Sequence, residues 1–222
     1  MSLPPPPLQI PLLKGALVTI DDTTQQTSVV AFQYNPASMR RQLDPFTVGG
    51  QPGDRTEAPR YAGAPAETIN VQVQIDATDQ LGQGSTIAEG FGILPQLAAL
   101  ELLIYPTSAQ VVQTETLLAS GAIEIVPMTA PRTLFIWGPN RVLPVRLQGY
   151  EVTEELFDTA LNPLRATATL NLRVLSYSDV SPSDPDYHQF LVYQQELERL
   201  APLAQTSLRG AKAVIGVDPT QL

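Results

Sequence analysis

The 222-residue chain has no cysteine, which rules out disulfides and thiolate metal sites and gives no sign of an oxidising compartment. Basic residues are scarce. Thirteen Lys and Arg stand against 22 Asp and Glu, a formal charge of -9, and the few cations form no patch. Binding a phosphate backbone needs clustered Lys and Arg, so nucleic acid is excluded as a partner. Nor does any stretch reach the eighteen or so consecutive apolar residues of a spanning helix, and acidity of this degree repels anionic membranes. The N-terminus (MSLPPPPLQIPLL) lacks the basic start, long apolar run and cleavage site of a secretory signal, so synthesis and residence in the cytosol is the expectation.

Catalytic groups are equally sparse. The single histidine, His188, sits beside Asp186 at the start of a candidate helix, where a surface position explains it, and no His lies at metal-ligand spacing from carboxylates. Gly82-Gln83-Gly84-Ser85-Thr86 has the glycines of a phosphate loop without its lysine, and reads as a turn. Glu151, Glu154, Glu155 and Asp158 could supply a carboxylate pair for glycoside hydrolysis. On an alternating strand, however, Glu151 and Glu155 share one face and Glu154 takes the other, which fits a solvated or partner-facing acidic edge. The chain is therefore expected to be no enzyme, with no cofactor and no metal.

What the sequence does contain is β-structure punctuated by 21 prolines and 14 glycines, with 43% hydrophobic residues to fill a core. Two runs stand out: Thr68–Ala77 (TINVQVQIDA) and Arg165–Leu175 (RATATLNLRVL). Ile69, Val71, Val73 and Ile75 alternate with Asn70, Gln72, Gln74 and Asp76. Ala166, Ala168, Leu170, Leu172 and Val174 alternate with Thr167, Thr169, Asn171 and Arg173. Period-two alternation buries one face and wets the other. These wet faces are almost uncharged, whereas edge strands usually carry Lys and Glu to block unwanted pairing. Either a plain half-exposed sheet or a sheet that lines a channel or continues into a neighbouring subunit accounts for the pattern.

Around these runs, Pro4–Pro11 predicts an extended polyproline leader. Lys14–Asp21 and Ser28–Gln33 predict a hairpin about the turn Asp22–Gln26, and Leu43–Pro65 a long irregular loop. The glycine-rich stretch Leu81–Gly92 precedes a short helix marked by Ile93, Leu97, Leu100 and Ile104, with Pro95 in its first turn and Pro106 beyond its end. Gln110–Ala119 suits helix or strand, with helix favoured, and Ala122–Val126 is a strand candidate. Thr133–Trp137 and Val142–Phe157, the latter with a bulge at Gly149, complete the sheet before an amphipathic helix over Asp186–Gln205 and a loose end at Gly216–Leu222. A boundary is placed near residues 178–185. The organisation predicted is a leader at 1–11, a β domain at 12–178 and a helical tail at 179–222.

Six segments in fixed order carry a resemblance: KGALVTID from Lys14, AFQYNP at Ala31–Pro36, ETINVQVQIDATD at Glu67–Asp79, LPQLAALELLIYP at Leu94–Pro106, PRTLFIWG at Pro131–Gly138, and FDTALNPLRATATLNLRV at Phe157–Val174. The series resembles the tube-like adaptor proteins of contractile injection systems, relatives of phage tail-tube and baseplate proteins. The resemblance implies a mainly β, tail-tube-like antiparallel sandwich or barrel, two packed sheets with a flanking helix and a C-terminal helical tail. It implies a homohexameric ring that joins the inner tube protein to a VgrG-like central spike within a contractile particle, beside other baseplate proteins, either released or membrane-anchored. On that analogy Asn70, Gln72, Gln74, Thr167, Thr169, Asn171, Arg173, Glu151 and Glu155 are candidates for the lumen and the seams between subunits. The loop Leu43–Pro65 would touch the next ring or adjacent subunit. Family members often carry a C-terminal LysM-like domain, for which residues 179–222 are too short and too helical. An alternative is a monomeric β-sandwich that holds a carbohydrate or peptide with Trp137, the tyrosines and that loop.

Overall fold

The computed structural model describes residues 13–20, 27–48, 60–121 and 131–204. The predicted leader at Pro4–Pro11, the turn Asp22–Gln26, the strand Ala122–Val126 and the end Gly216–Leu222 lie outside the described residues. Strands β1 (Ala16–Ile20), β2 (Thr27–Ala31), β3 (Met39–Asp44), β6 (Ala66–Asp76), β7 (Arg132–Ile136), β8 (Val142–Phe157) and β9 (Pro163–Val174) form one antiparallel sheet in the order β2-β1-β7-β8-β9-β6-β3. A two-stranded ribbon, β4 (Thr47–Val48) with β5 (Arg60–Tyr61), extends the hairpin of β3 and β6.

The protein is mainly β, with antiparallel strands, flanking helices and a C-terminal helix, but among the described residues the second sheet is only the ribbon β4–β5 and there is no closed barrel. Helices cover the apolar face instead. Leu97 and Leu100 of α3 (Leu94–Glu101), with Ile93 before it, pack in one cluster with Ile69, Val71, Leu170 and Leu172 of the central strands. Phe190 and Tyr193 of α5 (Pro185–Leu200) join the same cluster. Arg132 donates to Asp186 of α5, and Arg41 of β3 donates to the Tyr193 hydroxyl at 2.7 Å.

The sheet curls back on itself. Gln33, just beyond edge strand β2, accepts from the Asp76 amide at 2.7 Å and donates to the Asp76 carbonyl at 2.7 Å, so its side chain mimics a strand partner at the end of β6. In strand order, β2 and β6 are five positions apart. The short-range bridge between them therefore requires strong coiling, the direction in which sheet twist accumulates.

Two segments depart from the sequence-based expectation. The predicted loop Leu43–Pro65 contains the end of β3, the ribbon β4–β5 and the connection Ala62–Pro65, with 49–59 outside the described residues. The stretch Leu81–Gly92 holds the end of α1 (Thr78–Gly82) and α2 (Thr86–Phe91), whose cap Ser85 accepts from the Ala88 amide. Gln110–Ala119 is helical within α4 (Ser108–Ala119), which the Thr107 and Gln110 side chains close as a capping box.

Candidate assembly surface

Four strands, β8, β9, β6 and β3, share a face that no helix covers among the described residues, and its composition follows from register. Directly paired residues in an antiparallel sheet point to the same side. One row runs Gly149, Asn171, Asn70, Arg40; the next Glu151, Thr169, Gln72; the third Thr153, Thr167, Gln74; the fourth Glu155, Arg165, Asp76. Arg146, Arg173, Thr68 and Gln42 make the row on the opposite side of the first. All nine residues singled out in the sequence lie on this surface.

Opposite them, the apolar rows are Tyr150, Leu170, Val71 and Val152, Ala168, Val73. Strand β8 serves both faces only because its register slips between Leu147 and Gly149, where Gln148 is the extra residue. Before the slip the odd positions Val145 and Leu147 are buried. After it the even positions Tyr150 and Val152 point to the core side, and Glu151, Thr153 and Glu155 point out. Glycine at 149 also makes room: a Cβ there would lie 3.0 Å from Asn171 Nδ2. Asn171 uses that space to accept a hydrogen bond from the Asn70 amide group across the strands.

The middle of the surface holds amides and hydroxyls, and charge collects at its ends. Arg173 pairs with Asp179 at 3.2 Å at one end. At the other, Arg165 pairs with Asp76 at 2.7 Å. Burial alone would raise the Asp76 carboxyl, but hydrogen bonds from the Thr78 hydroxyl and amide and from Arg165 outweigh it and hold it below the ordinary carboxylate range. Near the hairpin tip, hydrogen bonds from the Asn162 side chain and amide, then the Ala160 amide, lower Asp158. That carboxylate is occupied in building the turn. Glu151 and Glu155 share the open surface, and Glu154 lies in the row of Ala166 on the other side. Tyr150, raised to about 12 by burial and then by Glu101 and Glu154, has a buried hydroxyl without a partner among the described residues.

Trp137 stacks on Phe135 with ring centres 5.9 Å apart and tilts against Phe32, so its ring fills the core edge and is not displayed for a sugar. Among the described residues no group of three or more His, Asp or Glu is placed to hold a metal ion, and no helix is long and apolar enough to cross a membrane. Sequence reasoning placed Asp76 on the wet face without carrying it into the candidate set, and missed Arg40 and Arg165 as members of this surface. Arg165 and Asp76 close the two alternating runs and were legible from their parity; Arg40 was hidden because β3 itself was not recognised.

Both lateral borders of this four-stranded surface are open. Strand β3 ends the sheet, and β7 pairs with β8 only as far as Val145, so the remainder of β8 bonds to β9 alone among the described residues. The backbone groups along both borders are left without strand partners among the described residues.

The sequence matches the model of the contractile injection system tube proteins over residues 12–179. The chain belongs to that family. It is a structural component of a contractile injection system, a phage tail-like particle, and its partners are other components of such a particle. Among solved structures, a chain from the virion of a native gene transfer agent particle is similar at 8% identity, over 72% of this chain and 90% of that one, with a TM-score of 0.29. Likeness at that level carries no argument about this tube protein. No curated protein matches the sequence.

Proposed function

We propose that this tube protein forms a homohexameric ring that joins the inner tube to the central spike in the baseplate, acting by architecture and without catalysis. The observation that supports it is the pair of open borders on β3 and β8. The four strands alternate in direction, so the β3 edge of one copy meets the β8 edge of the next in antiparallel sense, and repetition closes a cylinder with no parallel seam. Six copies would contribute roughly twenty-four strands, which at about 4.8 Å spacing and about 40° tilt close a barrel roughly 40–50 Å across. The surface of Asn70, Gln72, Gln74, Thr167, Thr169 and Asn171 then lines the lumen, where uncharged groups let contents pass without electrostatic trapping. Arg173 faces the lumen at one end, and Glu151 and Glu155 face the seam.

In this reading residues 12–178 are the ring-forming body and 179–222 a tail directed to the spike, a VgrG-like protein. Particles assemble in the bacterial cytoplasm. Imaging of particles carrying this chain should show one ring of six copies between tube and spike. A lone globule with unshared strands refutes the ring, and copies repeated along the tube refute the adaptor position. Deleting residues 205–222 keeps α5 and its buried Phe190 and Tyr193 in place; rings should persist and spike attachment should fail.

A further inference from the structure

Two arginines stand directly opposite each other on the wet surface. Arg146 of β8 pairs in register with Arg173 of β9, and the flanking pairs, Val145 with Val174 and Leu147 with Leu172, are buried, so both guanidinium side chains leave on the open side. Like charges at directly opposed positions destabilise a sheet. Arg173 is paired with Asp179, whose other oxygen accepts from the Ser176 amide and hydroxyl. Arg146 is exposed and has no hydrogen bond or ion pair among the described residues.

The acids around Arg146 are committed elsewhere or set apart. Asp186 is bound by Arg132, and Asp184 caps α5, accepting from the Asp186 amide at 2.8 Å. Glu151 lies two rows further along β8, beyond Gly149, and Asp44 sits on β3, three strands away, accepting from Gln42. An arginine pair that costs the fold stability and is only half neutralised calls for an anion from outside the chain.

We propose that Arg146 and Arg173 form a carboxylate-binding site for an acidic segment of a neighbouring particle component, docked at the end of the surface where the chain leaves β9 for α5. Two planar guanidiniums side by side match the oxygens of a carboxylate, which bridges them and removes their repulsion. A phosphate backbone fits poorly, because one pair of cations on a chain of formal charge -9 offers it too little. The position of the partner rests on the ring reading: six copies repeat the pair around one mouth of the cylinder, on the side where the C-terminal helix begins, whereas Glu151 and Glu155 lie toward the other.

The test uses the whole chain and a fluorescent hexaglutamate peptide, read by anisotropy at low salt. Binding should occur although the net charge opposes it, and Arg146→Gln should weaken it at least tenfold. Arg146→Lys should fall in between, since the charge stays and the planar fork is lost. A residue kept for binding at the expense of stability has a second signature: Arg146→Gln should raise Tm by about 1–4 °C, whereas a merely structural arginine would lower it. No binding by the unaltered chain, equal binding by Arg146→Gln, a Tm that does not rise in that variant, or tighter binding of a short single-stranded oligonucleotide than of hexaglutamate overturns the site. Arg146→Gln rings that form normally and bind no hexaglutamate support the site and leave the ring reading standing. A chain that binds the peptide through Arg146 yet forms no ring beside its tube and spike neighbours keeps the site and refutes the ring.

Discussion

Replacing Asp76 by Asn perturbs the point where four elements meet. Its carboxylate accepts from the Thr78 amide at 2.7 Å, from the Thr78 hydroxyl and from Arg165 Nε at 2.7 Å, while its backbone is clamped by Gln33. The side chain is about 10% exposed, so these bonds are made in a poorly solvated site, whereas Arg165 at 36% keeps much of its hydration. Asparagine retains one oxygen for Thr78 but presents an amide to Arg165. Losing the charge-assisted bond costs about 1–2 kcal/mol after allowing for screening of the arginine, and the misplaced donor adds about 1 kcal/mol. The sum, about 2–3 kcal/mol, corresponds to a fall in Tm of about 4–12 °C for a chain of this size. Because the folded carboxyl sits below its unfolded value, the stabilisation is present above about pH 4 and is lost as pH falls through the folded pKa. Melting curves of the two proteins should differ at pH 7 and converge in acid. Equal Tm values at pH 7, or a gap that stays constant down to the lowest pH at which the fold survives, would refute the role given to Asp76.

Gly92 has φ of +58°, and a Cβ there would lie 2.2 Å from the Pro163 carbonyl oxygen, which also accepts from the Ile93 amide. Gly92→Ala should cost more than about 3 kcal/mol by undocking the hairpin from the helices, and hydrogen exchange should accelerate at Ile93 first. The face assignment is tested by neighbours. Leu170→Asp buries a charge at a fully enclosed position and should leave insoluble or unfolded protein, whereas Asn171→Asp still accepts from Asn70 and should melt within about 1 kcal/mol of the unaltered chain. The opposite result in circular dichroism would mean that the two faces had been exchanged.

The strands β6 and β9 were legible because their alternation is unbroken through eight residues each and their partners lie in the same sheet. The helix α3 was legible from Ile93, Leu97 and Leu100 with a proline in its first turn, and the slip in β8 from a glycine at the place where the apolar parity reverses. Strand β3 was not. Its core-side positions are Met39, Arg41 and Leu43, and an arginine in the middle breaks the apolar period unless its partners are known. Those partners, Glu67 and Tyr193, lie 26 and 152 residues away, beyond any local pattern. Helices α1 and α2 escaped for another reason, since Gly82, Gly84, Gly90 and Gly92 mark boundaries of short helices as readily as loops. Within the candidate surface, the amides and hydroxyls were readable from parity alone. The open borders were not, because which strand edges stay unfilled is a property of the order β2-β1-β7-β8-β9-β6-β3 and not of any single strand.

The extra residue at Gln148 acts as a phase shifter in a sixteen-residue ribbon. Drawing it into the ladder would rotate everything distal by half a turn, sending Glu151 and Glu155 inward and Tyr150 and Val152 to the water, whereas excising it would leave Leu147 and Gly149 in plain alternation and every distal side chain facing as it does. Natural length variation should therefore accumulate in the turn beyond Asp158, where one more residue changes reach, and at the slip itself, and be purged from Gly149–Phe157, where one more or one fewer would exchange the two faces of the strand.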